Sequence, residues 1–304
     1  MRAARRALLR AGTAASGAAA LAAGVTASAA ALVPSPARAQ VATPYERPLD
    51  LDVPFVTTPD NVVDAMLALA GVGPADRLLD LGSGDGRIPI VAARRWGTQG
   101  VGVEIDPSLV EQSRRNAQAA GVAARVRFAE QDLFETDLSQ ATVITMYLLP
   151  DVNMKLRPAL AALAPGVRIV SHDWDLEDWV PDRRVVVPAP GKTMGLRKEA
   201  KLMLWVVPAA IGGRHAGDGL DLTIDQRWQQ VGGGRVVVDG RAGRLEPATI
   251  EGGRVRLQAT LADGGRLTLA CDLDRQPAAG QPIAWTIQGS DAGPARRVTR
   301  RQAG

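Results

Sequence analysis

The 304-residue chain holds a single cysteine, and its first 39 residues contain no acidic side chain. One cysteine excludes an intrachain disulfide and any multi-cysteine zinc site. Cys271 lies in the alternating run Leu267, Leu269, Cys271, Leu273, where a small buried core residue is expected rather than a reactive thiol. The acid-free start changes the meaning of the formal charge of +4. Five arginines stand at positions 2, 5, 6, 10 and 38, and four more at 296, 297, 300 and 301. Removing those nine from the 36 basic residues leaves 27 against 32 acidic groups between residues 40 and 295. The body is mildly acidic, so no specific nucleic-acid partner is expected. With 46% apolar and 22% charged residues, the chain is neither disordered nor a coiled coil and has the length of roughly two ordinary domains.

Residues 1–39 have the layout of a secretory signal. Arginines come first, an uncharged stretch rich in Ala, Gly, Ser and Thr follows, and Ala37-Arg38-Ala39 offers a cleavage site before Gln40. Arg5-Arg6-Ala7-Leu8-Leu9 resembles a twin-arginine leader, which places the body in the periplasm. An inner-membrane anchor, or a non-functional leader that leaves the chain in the cytoplasm, are the alternatives. A linker is expected over residues 40–52.

From residue 53 to 207, short apolar strands alternate with amphipathic helices, the pattern of an α/β doubly wound, mostly parallel sheet. Thr58-Pro59-Asp60 opens a helix and Leu78 to Leu81 reads as a buried strand. A helix follows from Arg87 to Trp96, a strand from Gly100 to Glu104, and a helix at Asp106-Pro107. Further strands fit 126–128, 141–147 and 168–172, and 183–187 with 201–207 reads as an antiparallel closing hairpin. Residues 208–290 read as an all-β accessory domain, a small meander or barrel, from alternating runs such as Leu220-Leu222-Ile224 and Ile283-Trp285-Ile287. Turns are expected at Gly232-Gly233-Gly234, Asp239-Gly240, Gly252-Gly253 and Asp263-Gly264-Gly265. Residues 291–304 read as a solvated basic tail, and His215 as part of a glycine-rich linker.

The chemistry concentrates at Leu78-Leu79-Asp80-Leu81-Gly82-Ser83-Gly84-Asp85-Gly86-Arg87. A buried strand runs into a glycine turn that opens a helix with free N–H groups, a cradle for a nucleotide-like ligand. Glu104 ends the next strand, where a carboxylate can take both ribose hydroxyls. Asp132 follows the third strand, placed to meet an exocyclic amine. The spacing is G-x-G-x-G, not the G-x-G-x-x-G of dinucleotide sites, which disfavours a nicotinamide-dependent oxidoreductase. Asp80 and Asp85 would repel a pyrophosphate but suit the ammonium and sulfonium of S-adenosylmethionine.

The stretch resembles the class I S-adenosylmethionine-dependent methyltransferases, whose first motif D-x-G-x-G-x-G is filled by Asp80, Gly82, Gly84 and Gly86. Val53-Pro54-Phe55-Val56-Thr57-Thr58-Pro59, DLGSGDGRI at 80–88, GVGVEID at 100–106, QDLF at 131–134 and YLLP at 147–150 narrow it. They resemble the small protein-lysine methyltransferases that act on the ATP synthase c subunit and the adenine nucleotide translocator. The resemblance covers about residues 53–182 and implies a Rossmann-like fold, S-adenosyl-L-methionine as cofactor, no metal, and a protein substrate that can be membrane-associated. It places Asp80, Gly82, Gly84 and Gly86 at the methionine end, Glu104 at the ribose and Asp132 at the adenine. Thr58, Ser83, Asp85, Ile105 and Leu133 belong to the same cofactor set.

On the substrate side, Tyr147 and Pro150 occupy the place of an N-P-P-Y type tetrad that lacks its Asn or Asp. Tyr147 and nearby carbonyls are candidates to orient an amine, against a core tyrosine with an exposed hydroxyl. His172 is a candidate base, against a satisfied structural histidine. Function is thus expected to be S_N2 methylation of a protein lysine or other amine, with the β domain recruiting substrate or covering the site. The alternative is a non-catalytic exported module that binds an adenosyl ligand and a partner protein.

Overall fold

The computed structural model describes residues 55–193, 195, 197–278, 281–289 and 296–301. The expected leader, the linker 40–52, and residues 291–295 and 302–304 of the expected tail lie outside them.

The first part of the described chain runs α1 (Asp60–Ala70), β1 (Arg77–Leu81), α2 (Arg87–Trp96), β2 (Gln99–Glu104), α3 (Pro107–Ala119) and β3 (Val126–Glu130). It continues with β4 (Val143–Met146), α4 (Pro150–Ala161), β5 (Arg168–His172), β6 (Arg183–Pro188) and β7 (Glu199–Val206). These strands form one seven-stranded sheet in the order β3-β2-β1-β4-β5-β7-β6. The first five are parallel, and β7 runs antiparallel to both of its neighbours. Successive residues of each strand alternate between faces. Leu78, Val143 and Val170 pack with Val62 and Met66 of α1, while Leu79, Ile144 and Ile169 pack with Val152 and Leu156 of α4. Covering on both faces explains why the central strands read as unbroken apolar runs. The sequence reading did not anticipate α4, whose pattern Pro150 and Pro158 interrupt. Pro150 stands in its first turn, where no N–H is needed.

The second part runs β8 (Gly213–Gly217), β9 (Leu220–Arg227), β10 (Gln230–Val238), β11 (Arg241–Leu245), β12 (Ala248–Thr249), β13 (Arg254–Leu261), β14 (Arg266–Asp272), β15 (Pro282–Gly289) and β16 (Arg296–Arg301). All but the short β12 close into an eight-stranded antiparallel barrel, because β11 pairs with both β13 and β10, and β16 with both β15 and β8. Closure leaves the ring without free strand edges. Alternate residues point inward, and Leu222, Ile224, Val236, Leu257, Leu269 and Trp285 fill the interior. Cys271 belongs to that core, where burial pushes its thiol up to about 12.

Three expectations need correction. Residues 296–301 are a paired strand and not a solvated tail, because the barrel needs β16 to close. Gly232-Gly233-Gly234 is not a turn; it lies inside β10 at a bulge against β9. His215 is on β8 and fully buried, with Nε2 2.6 Å from the Ile211 carbonyl oxygen and its ring edge-on to Trp285.

The barrel attaches to the end of the sheet where β5 begins and β7 ends. Gly252 and Gly253 pack on Pro165, Gly166 and Val206. Gln276 donates to the Leu163 and Pro208 carbonyls at 2.8 and 3.0 Å. The segment after β5 turns back toward that end and carries a second seam. There Trp228 stacks on Trp179 with centroids 5.0 Å apart, and Gln229 donates to the Val180 carbonyl at 2.6 Å. Asp178 accepts from Arg157 of α4, from Arg227 and from Trp228 Nε1.

Candidate active site

In the sheet, the chain turns outward in opposite directions from β1 and β4, the place where open α/β sheets form a crevice at the carboxyl ends of their strands. A cleft opens there. Its floor is the turn between β1 and α2. Gly82 N–H and Ser83 N–H donate to the Val103 carbonyl, tying the turn to β2. From α3, Ser113 Oγ donates to the Gly84 carbonyl at 2.8 Å and Asn116 Nδ2 to the Asp85 carbonyl at 2.9 Å. Gly86, with φ 78°, leads into α2; a Cβ there would lie 2.6 Å from the Phe128 ring and 2.9 Å from Ser113 Cβ. Gly84, with φ 53°, has the Phe55 ring where its Cβ would be. Local sequence and packing both demand glycine at these two positions.

Thr58, Asp80, Gly82, Ser83, Gly84, Asp85, Glu104, Ile105, Asp132, Leu133 and Tyr147 all line this cleft. Gly86, Pro150 and His172 do not. Gly86 shapes the turn from behind, and Pro150 is committed to the first turn of α4. His172 is fully buried beneath Tyr147, with ring centroids 3.8 Å apart, and its Nδ1 is 3.4 Å from Thr58 Oγ1. Burial pulls its imidazole down to about 4 against the opposing pull of Asp173. The ring is sealed off from the cleft, and its Nε2 has no hydrogen-bond partner among the described residues.

The carboxylates divide into two kinds. Asp85 is engaged by Arg87, whose Nη2 lies 2.6 Å from Oδ2 and whose Nε lies 2.9 Å from Oδ1. The sequence argument that Asp85 awaits a cationic ligand therefore fails, since that charge is already met. Asp80, Glu104 and Asp132 form no ion pair among the described residues. Glu104 Oε2 accepts from Gly84 N–H at 2.8 Å, and Oε1 from Ile105 and Asp106 N–H at 2.9 and 3.1 Å. Asp80 is almost fully buried and accepts from Thr145 Oγ1 at 2.7 Å. Burial pushes its carboxyl up to about 8, Thr145 pulls the other way, and Glu104 and Asp85 add to the rise. A buried carboxyl of this kind becomes fully charged when a cation reaches it.

Exposed Ile105 and Phe134, beside Leu133, present an apolar slot next to Glu104 and Asp132. This donor set fits a ligand with a cationic end, a diol and a flat base, so the residues present fit S-adenosylmethionine. Sequence reading assigned no role to Phe55, Val56, Arg87, Gln131, Phe134, Leu148 or Val152, which also line the cleft. Phe55, Val56, Arg87, Gln131, Phe134 and Leu148 stand inside the quoted motifs, which signals them. Val152 carries no signal beyond being apolar.

Residues 80–183 match the family model described as the ANTKMT methyltransferase domain. The chain is 42% identical over 137 residues to a protein-lysine N-methyltransferase of Saccharolobus islandicus, a match that covers 44% of this chain and 85% of that one. It is 37% identical over 136 residues to the mouse adenine nucleotide translocase lysine N-methyltransferase, covering 44% of this chain and 58% of that relative. A solved structure described as an RNA methyltransferase from Salinibacter ruber in complex with S-adenosyl-L-homocysteine is 52% identical. That match covers 51% of this chain and 96% of the other, with a TM-score of 0.47.

Proposed function

This chain belongs to the protein-lysine N-methyltransferase family, and on that premise we propose that it is an S-adenosylmethionine-dependent methyltransferase acting on an amine of a protein, a lysine side chain foremost. The observation that carries the reading is the glycine turn set among three carboxylates that form no ion pair among the described residues, Asp80, Glu104 and Asp132, at the carboxyl ends of β1 to β3. When bound, S-adenosylmethionine would supply the methyl of its sulfonium to a neutral amine, with the neutral thioether S-adenosylhomocysteine as the leaving group. Asp80 would hold the cofactor's ammonium, Glu104 its ribose hydroxyls, and Asp132 with Ile105, Leu133 and Phe134 its base. Thr58 and its neighbours, held by Arg87 through the Thr58 carbonyl at 2.7 Å, close one side and exclude water. Such a site works by alignment and by a dry, polarised environment. A lysine must first lose its proton, and desolvation beside the positively charged sulfonium would favour the neutral amine.

The barrel sits at the opposite end of the sheet from the cleft, so it does not cover the site. We infer a recruiting role for it, toward a protein substrate that is membrane-associated. The module without turnover is not favoured, because the turn and its carboxylates are intact. From the leader we further propose export to the periplasm. The cofactor is made in the cytoplasm, so an exported chain must carry it out bound or find another source; fractionation of cells producing the full chain decides the location.

The function is tested by titrating the full chain with S-adenosylhomocysteine beside Glu104→Ala, which should bind about tenfold or more weakly. Labelled cofactor is then incubated with soluble protein, membrane protein and total RNA. Methyl transfer to protein supports the reading; transfer to RNA alone, or no binding, overturns it.

A further inference from the structure

Beside the cleft, Tyr147 is the centre of a cluster to which neither the fold nor the cofactor assigns a task. It stands one residue past β4, next to Gly82, because Leu81 pairs with Met146. It therefore borders the end of the cleft nearest Asp80. Its hydroxyl donates to Asp173 Oδ2 at 3.4 Å. Asp173 is held in its turn from several sides. Its backbone has φ 66°, Lys201 N–H donates to Oδ1 at 3.0 Å, and Lys192 Nζ lies 2.5 Å from Oδ2. Lys192 is 9% exposed and gives a second hydrogen bond, of 2.8 Å, to the Glu199 carbonyl. A left-handed non-glycine residue and a lysine taken out of water both cost free energy, and such costs collect at sites where geometry is used.

We propose that Asp173, braced by Lys192, is a positioning residue: it accepts the Tyr147 hydroxyl proton in a hydrogen bond and thereby turns the phenol oxygen's lone pairs toward the cleft, where they accept a hydrogen bond from the nitrogen to be methylated. The inference rests on the methyltransferase reading above. Tyr147 acts as a neutral acceptor and not as a phenolate base, since burial, then the charge of Asp173, push its hydroxyl up to about 12. Burial alone would raise the Asp173 carboxyl, but the hydrogen bond and charge of Lys192 and the Lys201 N–H hold it below its usual range. The stacked, neutral His172 fixes the plane of the tyrosine ring from below. Lys192 reaches this cluster from the loop between β6 and β7, and Gly191 beside it packs on Pro59 at the start of α1.

The test needs no knowledge of the protein substrate. Sinefungin carries a primary amine where S-adenosylmethionine carries its methylsulfonium, so it places a nitrogen near the point of transfer; S-adenosylhomocysteine has no group there. Both are titrated calorimetrically into the full chain and into Tyr147→Phe, Asp173→Asn, Lys192→Met and Lys192→Arg. The expected result is a loss of sinefungin affinity of about tenfold in Tyr147→Phe and Asp173→Asn, with S-adenosylhomocysteine affinity held within about twofold. Lys192→Met should share the loss and Lys192→Arg should restore the wild-type ratio. Tyr147→Phe keeps the ring and its stacking, so it remains informative if Asp173→Asn does not fold. A parallel loss of both ligands, or an unchanged ratio in Tyr147→Phe, overturns the proposal. Failure of the wild-type chain to bind S-adenosylhomocysteine overturns the methyltransferase reading itself, and this inference with it.

Discussion

Asp80 carries the most informative electrostatics in the molecule, because its carboxyl is shielded from water and yet lines the cleft. Its ordinary value of 3.8 is raised to about 8 in the folded chain. The folded protein therefore keeps a proton that the unfolded chain releases, so this group's contribution to stability falls as pH rises from about 4 to about 8 and is level above that. Asparagine cannot titrate and removes the slope. The difference in unfolding free energy between wild type and Asp80→Asn should become less favourable to wild type across that window, by an amount on the order of a few kcal/mol. Melting curves at about pH 5 and about pH 9 check the sign, and a constant difference would contradict the burial argument. Adding S-adenosylmethionine should flatten the wild-type slope, since a cationic partner lowers the carboxyl again.

Among the elements, the turn between β1 and α2 and the segment before α1 are bridged by Arg87, beside the packing of Phe55 on Gly84. Arg87 binds Asp85 within the turn and the Thr58 carbonyl in the segment, with Asp60 at 3.6 Å. The arginine's planar fork allows this bridging in a way that a lysine would not reproduce. Arg87→Ala should leave Asp85 without its counter-charge and free Phe55 to Pro59 from the cleft wall. S-adenosylhomocysteine affinity is expected to fall about tenfold, with Arg87→Lys recovering little of it; calorimetry measures both. The elements themselves were largely legible. The sequence periods placed β1 to β7 and α2 close to their observed bounds and marked where α1 and α3 begin, because the central strands are buried on both faces and the helices on one. Helix α4 escaped because its prolines mimic a loop. The strand character of Gly232 to Gly234 escaped because glycine signals a turn, unless a partner strand holds it extended.

At the scale of the molecule, the barrel and the sheet domain share an interface far from the chemistry. Trp228→Ala removes the stack on Trp179, worth about 1 kcal/mol beyond the area it buries. It should loosen the seam so that a single denaturation transition separates toward two. Cofactor affinity should stay within about twofold of wild type, because no barrel residue lines the cleft; a larger loss would show that the two ends are coupled. The sequence by itself determined the parallel sheet, the S-adenosylmethionine cradle and the alternating strands of the barrel, since these follow from local periodicity, glycine conformation and charge placed within a few residues. Tertiary structure alone decided that Arg87 neutralises Asp85, that His172 is sealed beneath Tyr147, that Lys192 reaches Asp173, and that the barrel closes through Arg296 to Arg301 and docks away from the cleft. Each of these depends on contacts between segments whose side chains meet by packing, and no period or motif along the chain encodes where a distant side chain will come to rest.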